Sequence, residues 1–164
     1  MKSRNDSTSA TTSSINYDPY AGQNKGMDTD WYTSRDGSEF INIYSSGQTR
    51  LGRELSHFHK SPFTHPFFGH FDSMEGFWYY MRSDVRDDKL RYLSGFEAKL
   101  NGRVLHACWY PEFWEDILAA NYQKVIQNEN LTQMLADSVL PFTHYYVFKG
   151  RGNNMVIHPR DWDI

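Results

Sequence analysis

Ser73-Met74-Glu75-Gly76-Phe77-Trp78-Tyr79-Tyr80 places one carboxylate among large rings, directly after a small polar residue that can cap a helix. Ser73 as N-cap would satisfy an orphan backbone N–H. Glu75 then falls in the first turn, where the helix dipole favours its ionised form. At about 100° per residue, Met74, Phe77, Trp78 and Met81 share an apolar face, while Glu75, Tyr79 and Arg82 line its flank. The apolar face reads as core and the flank as a candidate site.

Upstream of this helix, Glu39 to Ser45 is a β-branched and aromatic run closing on Ser-Ser-Gly, which predicts a strand ending in a turn. Thr49 to Asp72, rich in Pro, His, Gly and Phe, reads as a long loop, and a loop of that length in a compact domain usually has a function. Before Gly37 the chain is dominated by Ser, Thr, Asn, Asp and Gly, which predicts a flexible polar tail over residues 1–37 and a domain over 38–164. Tyr17, Tyr20, Trp31 and Tyr32 are the tail's exceptions and could dock onto the domain or a partner.

Downstream, Asp87 to Leu93 and Glu97 to Leu100 predict short helices stopped near Gly95 and Gly102. The clearest helix runs from about Pro111 to Gln127, with the stripe Trp114, Ile117, Leu118, Asn121, Tyr122 and Val125 as its expected inner face and Lys124 at the edge. Asn130 followed by Gln133 fits a capping box for a further helix to about Ala136. Phe142 to Lys149 and Met155 to His158 predict strands joined by the turn Gly150 to Asn154. The fold class expected is α+β, a mostly helical single domain around a small β-sheet.

The chain has 164 residues, room for one domain with a real core. A formal charge of -3 gives no chain-wide basic footprint of the kind that dominates non-specific nucleic-acid binding, so any such contact would be local. Cys108 is the only cysteine, which excludes an intramolecular disulfide and points to a cytoplasmic setting. No apolar run approaches the roughly 20 residues a membrane span needs, and Met1 to Ser14 does not resemble a secretory signal.

Four histidines, His57, His59, His65 and His70, fall within fourteen residues. They lack both the helical His-Glu-x-x-His spacing of zinc hydrolases and the paired cysteines of structural zinc, so packing on aromatic rings is the simpler reading. No P-loop or dinucleotide-binding glycine pattern is present, and the reading calls for neither metal nor cofactor. Arg50 and Arg53 flank Gly52 and could hold a phosphate, or be solvated surface arginines. Lys124 could be a desolvated amine, a phosphate partner, or a side chain that snorkels to water.

Taken in order, these segments resemble the NADAR, or YbiA-like, family. Leu55-Ser56-His57-Phe58 is similar to its Ser-Asn-Phe opening, and Phe71 to Tyr79 to its Ser/Thr-x-Glu-x-aromatic helix. Ala98-Lys99-Leu100-Asn101-Gly102-Arg103 resembles its Ala-x-x-Leu-Gly-Arg element. Trp114 sits where the family has a tryptophan, and Lys124 to Leu135 resembles its Lys-Phe-x-Gln helix pair. The resemblance spans roughly residues 50 to 140. It implies action on N-glycosidic bonds of nucleotide-related or ADP-ribosylated substrates.

On that resemblance the substrate is an ADP-ribosylated nucleic acid or a nucleotide-like small molecule, and the setting is relief of a toxin or defence system that ADP-ribosylates DNA. Glu75, Lys124 and Arg82 are its catalytic candidates. Arg53, Ser56, Phe58, Phe71, Ser73, Trp78, Arg103, Trp114 and Gln127 are its ligand-binding candidates. Arg82 stands where the family commonly has a lysine implicated in a covalent sugar intermediate, and a guanidinium stays protonated and cannot act as that amine. Direct attack by water, a different lysine, or a non-catalytic binder of ADP-ribose or another NAD-derived nucleotide remain the alternatives. An aromatic-rich interaction module working through the tail is a third reading.

Overall fold

A computed structural model of the chain describes residues 29–149 and 154–157. The elements run α1 (Thr29–Thr33), β1 (Ile41–Asn42), α2 (Arg50–Leu55), β2 (Phe63–His65), β3 (Gly69–Phe71) and α3 (Met74–Arg82). A 3-10 turn (Asp88–Tyr92), α4 (Gly95–Gly102), α5 (Phe113–Ile126), α6 (Glu129–Ala136), β4 (Phe142–Thr143), β5 (Tyr146–Lys149) and β6 (Asn154–Ile157) follow. The class is α+β, a single domain. The expected single small sheet is instead three two-stranded ribbons among the described residues: β1 with β4 in parallel, and β2 with β3 and β5 with β6 antiparallel.

α3 is the central element. Ser73 caps it as expected: its Oγ accepts from Gly76 N–H and donates to the Leu93 carbonyl, so one hydroxyl starts α3 and ties it to the chain leaving the 3-10 turn. The expected inner face holds for Met74, Phe77 and Met81, but Glu75, Tyr79 and Tyr80 are buried as well. A helix covered on nearly every side lies inside the core rather than on it. Its cover comes from the β2–β3 hairpin, the 3-10 turn, α4 and α5, with Phe63, Phe71, Leu90, Phe113, Ile117 and Ala120 in the same cluster.

Two glycines let these elements approach. A Cβ built on Gly76 would lie 2.3 Å from the Leu90 carbonyl oxygen, and one on Gly102 would lie 2.1 Å from the Tyr79 ring. Leu90 O is backbone and cannot swing aside. Gly76→Ala is therefore expected to cost at least about 2 kcal/mol through overpacking between α3 and the 3-10 turn, read as a lower urea midpoint at unchanged m-value.

Several boundaries differ from the sequence reading. The stretch Thr49–Asp72 is not a loop: Thr49 Oγ1 accepts from Gly52 N–H and caps α2, and Phe63-Thr64-His65 pairs with Gly69-His70-Phe71 across a turn that Gly69 makes at φ +77°. The domain also begins before residue 38. α1 occupies Thr29–Thr33, and the buried Asp36 carboxylate accepts from the backbone of Asn42 and Gln48. The remainder of the proposed tail, with Tyr17 and Tyr20, lies outside the described residues.

The strand expected over Glu39–Ser45 shrinks to two residues, because the chain turns at Tyr44, where Gly47 N–H reaches the Tyr44 carbonyl. Asn42 anchors it instead, exchanging side-chain hydrogen bonds with the backbone of Tyr145. The α6 cap is Asn128, not Asn130. The expected strand over Phe142–Lys149 is broken at His144-Tyr145 into β4 and β5, and β5 pairs with β6; the turn between them lies partly outside the described residues.

α5 shows the most instructive shift. Its buried residues are Phe113, Ile117, Ala120 and Lys124, whereas Trp114, Leu118 and Tyr122 of the expected stripe are exposed. The helix is rotated by about one residue relative to the expectation, near 100°, and carries a lysine into the core.

Candidate functional site

Glu75 is 9% exposed at the first turn of α3. Its backbone N–H donates to the His57 carbonyl at 2.9 Å, so the chain after α2 closes over the start of α3. Burial raises the carboxyl from 4.5 to about 7, against a smaller opposing pull from the Lys99 ammonium. Among the described residues its carboxylate has neither a hydrogen-bond nor an ion-pair partner. Burial that one nearby cation offsets only in part is costly for a carboxylate, and strongly perturbed acids of this kind concentrate at functional sites.

Rings from three segments gather around Trp78, one turn from this acid. Trp78, one turn along α3, lies 6.3 Å from the His57 ring, 5.0 Å from Phe113, 5.5 Å from Trp114 and 6.2 Å from Trp109. Phe58 lies under the Lys99 ammonium, 5.5 Å from its ring centroid. Tyr79 is raised by burial and then by Glu75, and lowered by Arg82, with which it hydrogen-bonds, and by Arg103. Arg82 also sits 5.9 Å above the Trp109 ring. Glu75, Trp78, Tyr79, Arg82, Arg103, Phe58 and Lys99 are thus drawn into one electrostatic and aromatic neighbourhood.

Lys124 is placed differently from the substrate-facing amine expected of it. It is 1% exposed, and its Nζ donates to the carbonyls of Leu55 and Ser56, both at 2.9 Å. Burial lowers the amine from 10.5 to about 7, with Glu54 opposing. Lys124 therefore positions the segment whose next residue, His57, receives the Glu75 N–H. His57 is itself held neutral: burial and then Lys124 lower it to about 3, against a side-chain hydrogen bond with Asn121.

Five more expected ligand contacts have structural work instead. Phe71 is wholly buried, its ring edge-on to Phe77 at 4.9 Å, and so belongs to the core. Ser73 is wholly buried with its hydroxyl committed to the cap and to Leu93. Gln127 clamps both backbone groups of Thr64, accepting from its N–H and donating to its carbonyl. Ser56 caps the end of α2, its hydroxyl accepting from Phe58 N–H. Arg53 directs its guanidinium to the carbonyls of Gly47 and Gln48, and Arg50 pairs with Glu54, so neither phosphate role is built.

Among the described residues no group of three His, Cys, Asp or Glu side chains is arranged to hold a metal ion. The four clustered histidines separate: His57 packs near Trp78, His59 meets Ser61, His65 stacks on Phe77 and His70 pairs with Asp72. No helix of the described residues is long and apolar enough to cross a membrane.

The sequence reading gave no site role to Lys99 or Trp109, and read His57 only as a histidine packing on aromatic rings, which its place 6.3 Å from Trp78 agrees with. Only Trp109 carried a usable signal, a second tryptophan five residues before Trp114. Lys99 and His57 reach the site by tertiary contact alone. Comparison of the chain with protein-family models, with curated proteins and with solved structures finds no match.

Proposed function

We propose that this protein is an N-glycoside hydrolase of the NADAR type, which removes ADP-ribose from modified nucleic-acid bases or cleaves a nucleotide-like N-glycoside. The observation that carries the reading is Glu75: a buried, unpaired carboxylate bordered by Trp78 and Tyr79, with cationic side chains from α3 and α4 close by.

Cleaving an N-glycosidic bond builds positive charge on the ribose carbon and negative charge on the departing base. The ionised Glu75 opposes the first charge in a low-dielectric setting and takes a proton from the attacking water. The water oxygen bonds to the anomeric carbon, the carbon–nitrogen bond breaks with its electrons leaving on the base, and the proton held by Glu75 passes to that base. Water is the nucleophile, because Arg82 stays protonated and Lys124 is buried with its Nζ committed to the carbonyls of Leu55 and Ser56. Trp78, backed by Trp114, provides a wall for the ribose or base; Lys99, Arg82 and Arg103 are the nearby cations for a diphosphate.

The test is incubation with ADP-ribosylated single-stranded DNA and measurement of released ADP-ribose. Release is the expected result. Calorimetric binding of ADP-ribose with no release supports the non-catalytic binder, the reading that Arg82, engaged with Tyr79 and Trp109, favours.

A further inference from the structure

α5 presents a second apolar face, opposite in role to the buried one. Trp114, Leu118, Tyr122 and Ile126 recur every four residues along it and are 39%, 61%, 63% and 46% exposed. Trp109, also exposed, extends the stripe with its ring stacked 6.2 Å from Trp114. A lone exposed leucine needs no explanation, but a continuous stripe of rings and aliphatic chains marks an interaction surface. Its side chains expose on the order of 500 Å², which with flanking atoms approaches the roughly 800 Å² per partner of a stable interface.

We propose that α5 packs antiparallel against α5 of a second copy of this chain across a two-fold axis at the level of Ala120. The occupant follows from the register of the stripe. A two-fold contact requires that if one residue meets a second, the second meets the first in return. An axis at Ala120 sets Trp114 against Ile126 of the second copy and Leu118 against its Tyr122, and the reverse. Every ring then faces an aliphatic chain, so large meets small at each level. A stripe spaced by four residues also packs on its own image through matching ridges and grooves, and antiparallel helices oppose their dipoles.

The pairing reaches the Glu75 site. Trp114 lies 5.5 Å from Trp78, so Ile126 of the second copy covers the outer side of that aromatic wall. The rim, by contrast, is acidic: Glu112 and Glu115 are exposed at one end of the stripe and Glu129 just past the other. Antiparallel pairing brings these like charges towards one another, and salt screens them over about 8–10 Å. Association therefore tightens as salt rises, the opposite of an interface held by ion pairs.

Sedimentation velocity of the full chain over a concentration series, at low and high salt, tests this. The wild type is expected to form a dimer that tightens with salt. Leu118→Lys, a change at an exposed position, is expected to be monomeric with unchanged circular dichroism and melting. Glu115→Lys, which relieves the rim repulsion, is expected to tighten the dimer about tenfold at low salt. A wild type that stays monomeric at its highest soluble concentration in high salt overturns the proposal. So does a dimer that persists in Leu118→Lys, since it must use another surface. Neither outcome depends on whether the protein cleaves ADP-ribosyl DNA.

Discussion

Glu75→Gln should abolish ADP-ribose release, lowering kcat by roughly a thousandfold, and at the same time make the protein more stable above neutral pH. The first effect is the usual loss when a positioned acid–base group is removed, about 10²–10⁴-fold. The second follows from linkage. The folded carboxyl titrates near 7 and the unfolded one near 4.5, so between those values the native state binds more protons. Stability from this group is fully present below about 4.5 and is lost as pH rises through about 7. The amide avoids that loss, and the variant should gain up to about 3 kcal/mol over the wild type at pH 8, with no gain at pH 4. Wild-type kcat/KM should rise with pH through about 7, because only the ionised form stabilises the ribosyl cation. Equal rates for the two proteins would remove Glu75 from the chemistry, and parallel stability curves would remove its desolvation.

Lys124→Met should reduce kcat about a hundredfold while leaving stability near pH 7 little changed. Two effects of opposite sign meet there. Methionine keeps the volume but leaves the Leu55 and Ser56 carbonyls without their donors, about 1–3 kcal/mol each. It also relieves the burial of an amine whose titration is drawn from 10.5 down to about 7, which is worth a similar few kcal/mol at neutral pH.

The balance shifts with pH. Between about 7 and 10.5 the unfolded wild type binds more protons than the folded form, so wild-type stability rises relative to the variant across that window. Urea denaturation of both proteins near pH 7 and near pH 10 reads the divergence, and curves that do not diverge would contradict a neutralised buried amine. The loss of activity arises because the freed segment ends at His57, whose carbonyl receives the Glu75 N–H, and displacements of about 1 Å are enough to cost a hundredfold.

The elements legible in the sequence were those specified by neighbours in the chain. Ser73 three residues before Gly76, with Glu75 between them, is a local cap, and the helix begins there. The early helix α2 was hidden because Thr49 caps a six-residue segment interrupted by Gly52, and glycine argues against a helix until the carbonyl of Asn42, 2.2 Å from where a Cβ would be, explains it. The β2–β3 hairpin was masked by Pro62, Pro66 and the histidines: His65 stacks on Phe77 of α3 and His70 pairs with Asp72, partners that no local pattern names.

On α5 two apolar stripes lie side by side, and periodicity favours the one with more large residues. Tertiary packing chose the other, because only a lysine at position 124 can reach the two carbonyls that end α2. For the site, Glu75 and Trp78 were readable from a single helix, whereas Lys99, Trp109 and His57 required α4, the segment before α5 and the end of α2 to converge. Phe71, Ser73 and Gln127 were misread for the same reason: a polar or aromatic residue in a site-like motif is indistinguishable, in sequence, from one that builds the scaffold beneath it.

The protonation of a single side chain, Glu75, underlies the proposed chemistry. Carbon-detected NMR titration of the labelled Glu75 carboxyl, assigned by its absence in Glu75→Gln, should give a midpoint of about 7 that moves upward in Lys99→Met. A midpoint near the ordinary 4.5, insensitive to Lys99, would mean that the carboxylate is solvated and unprepared for chemistry at a sugar.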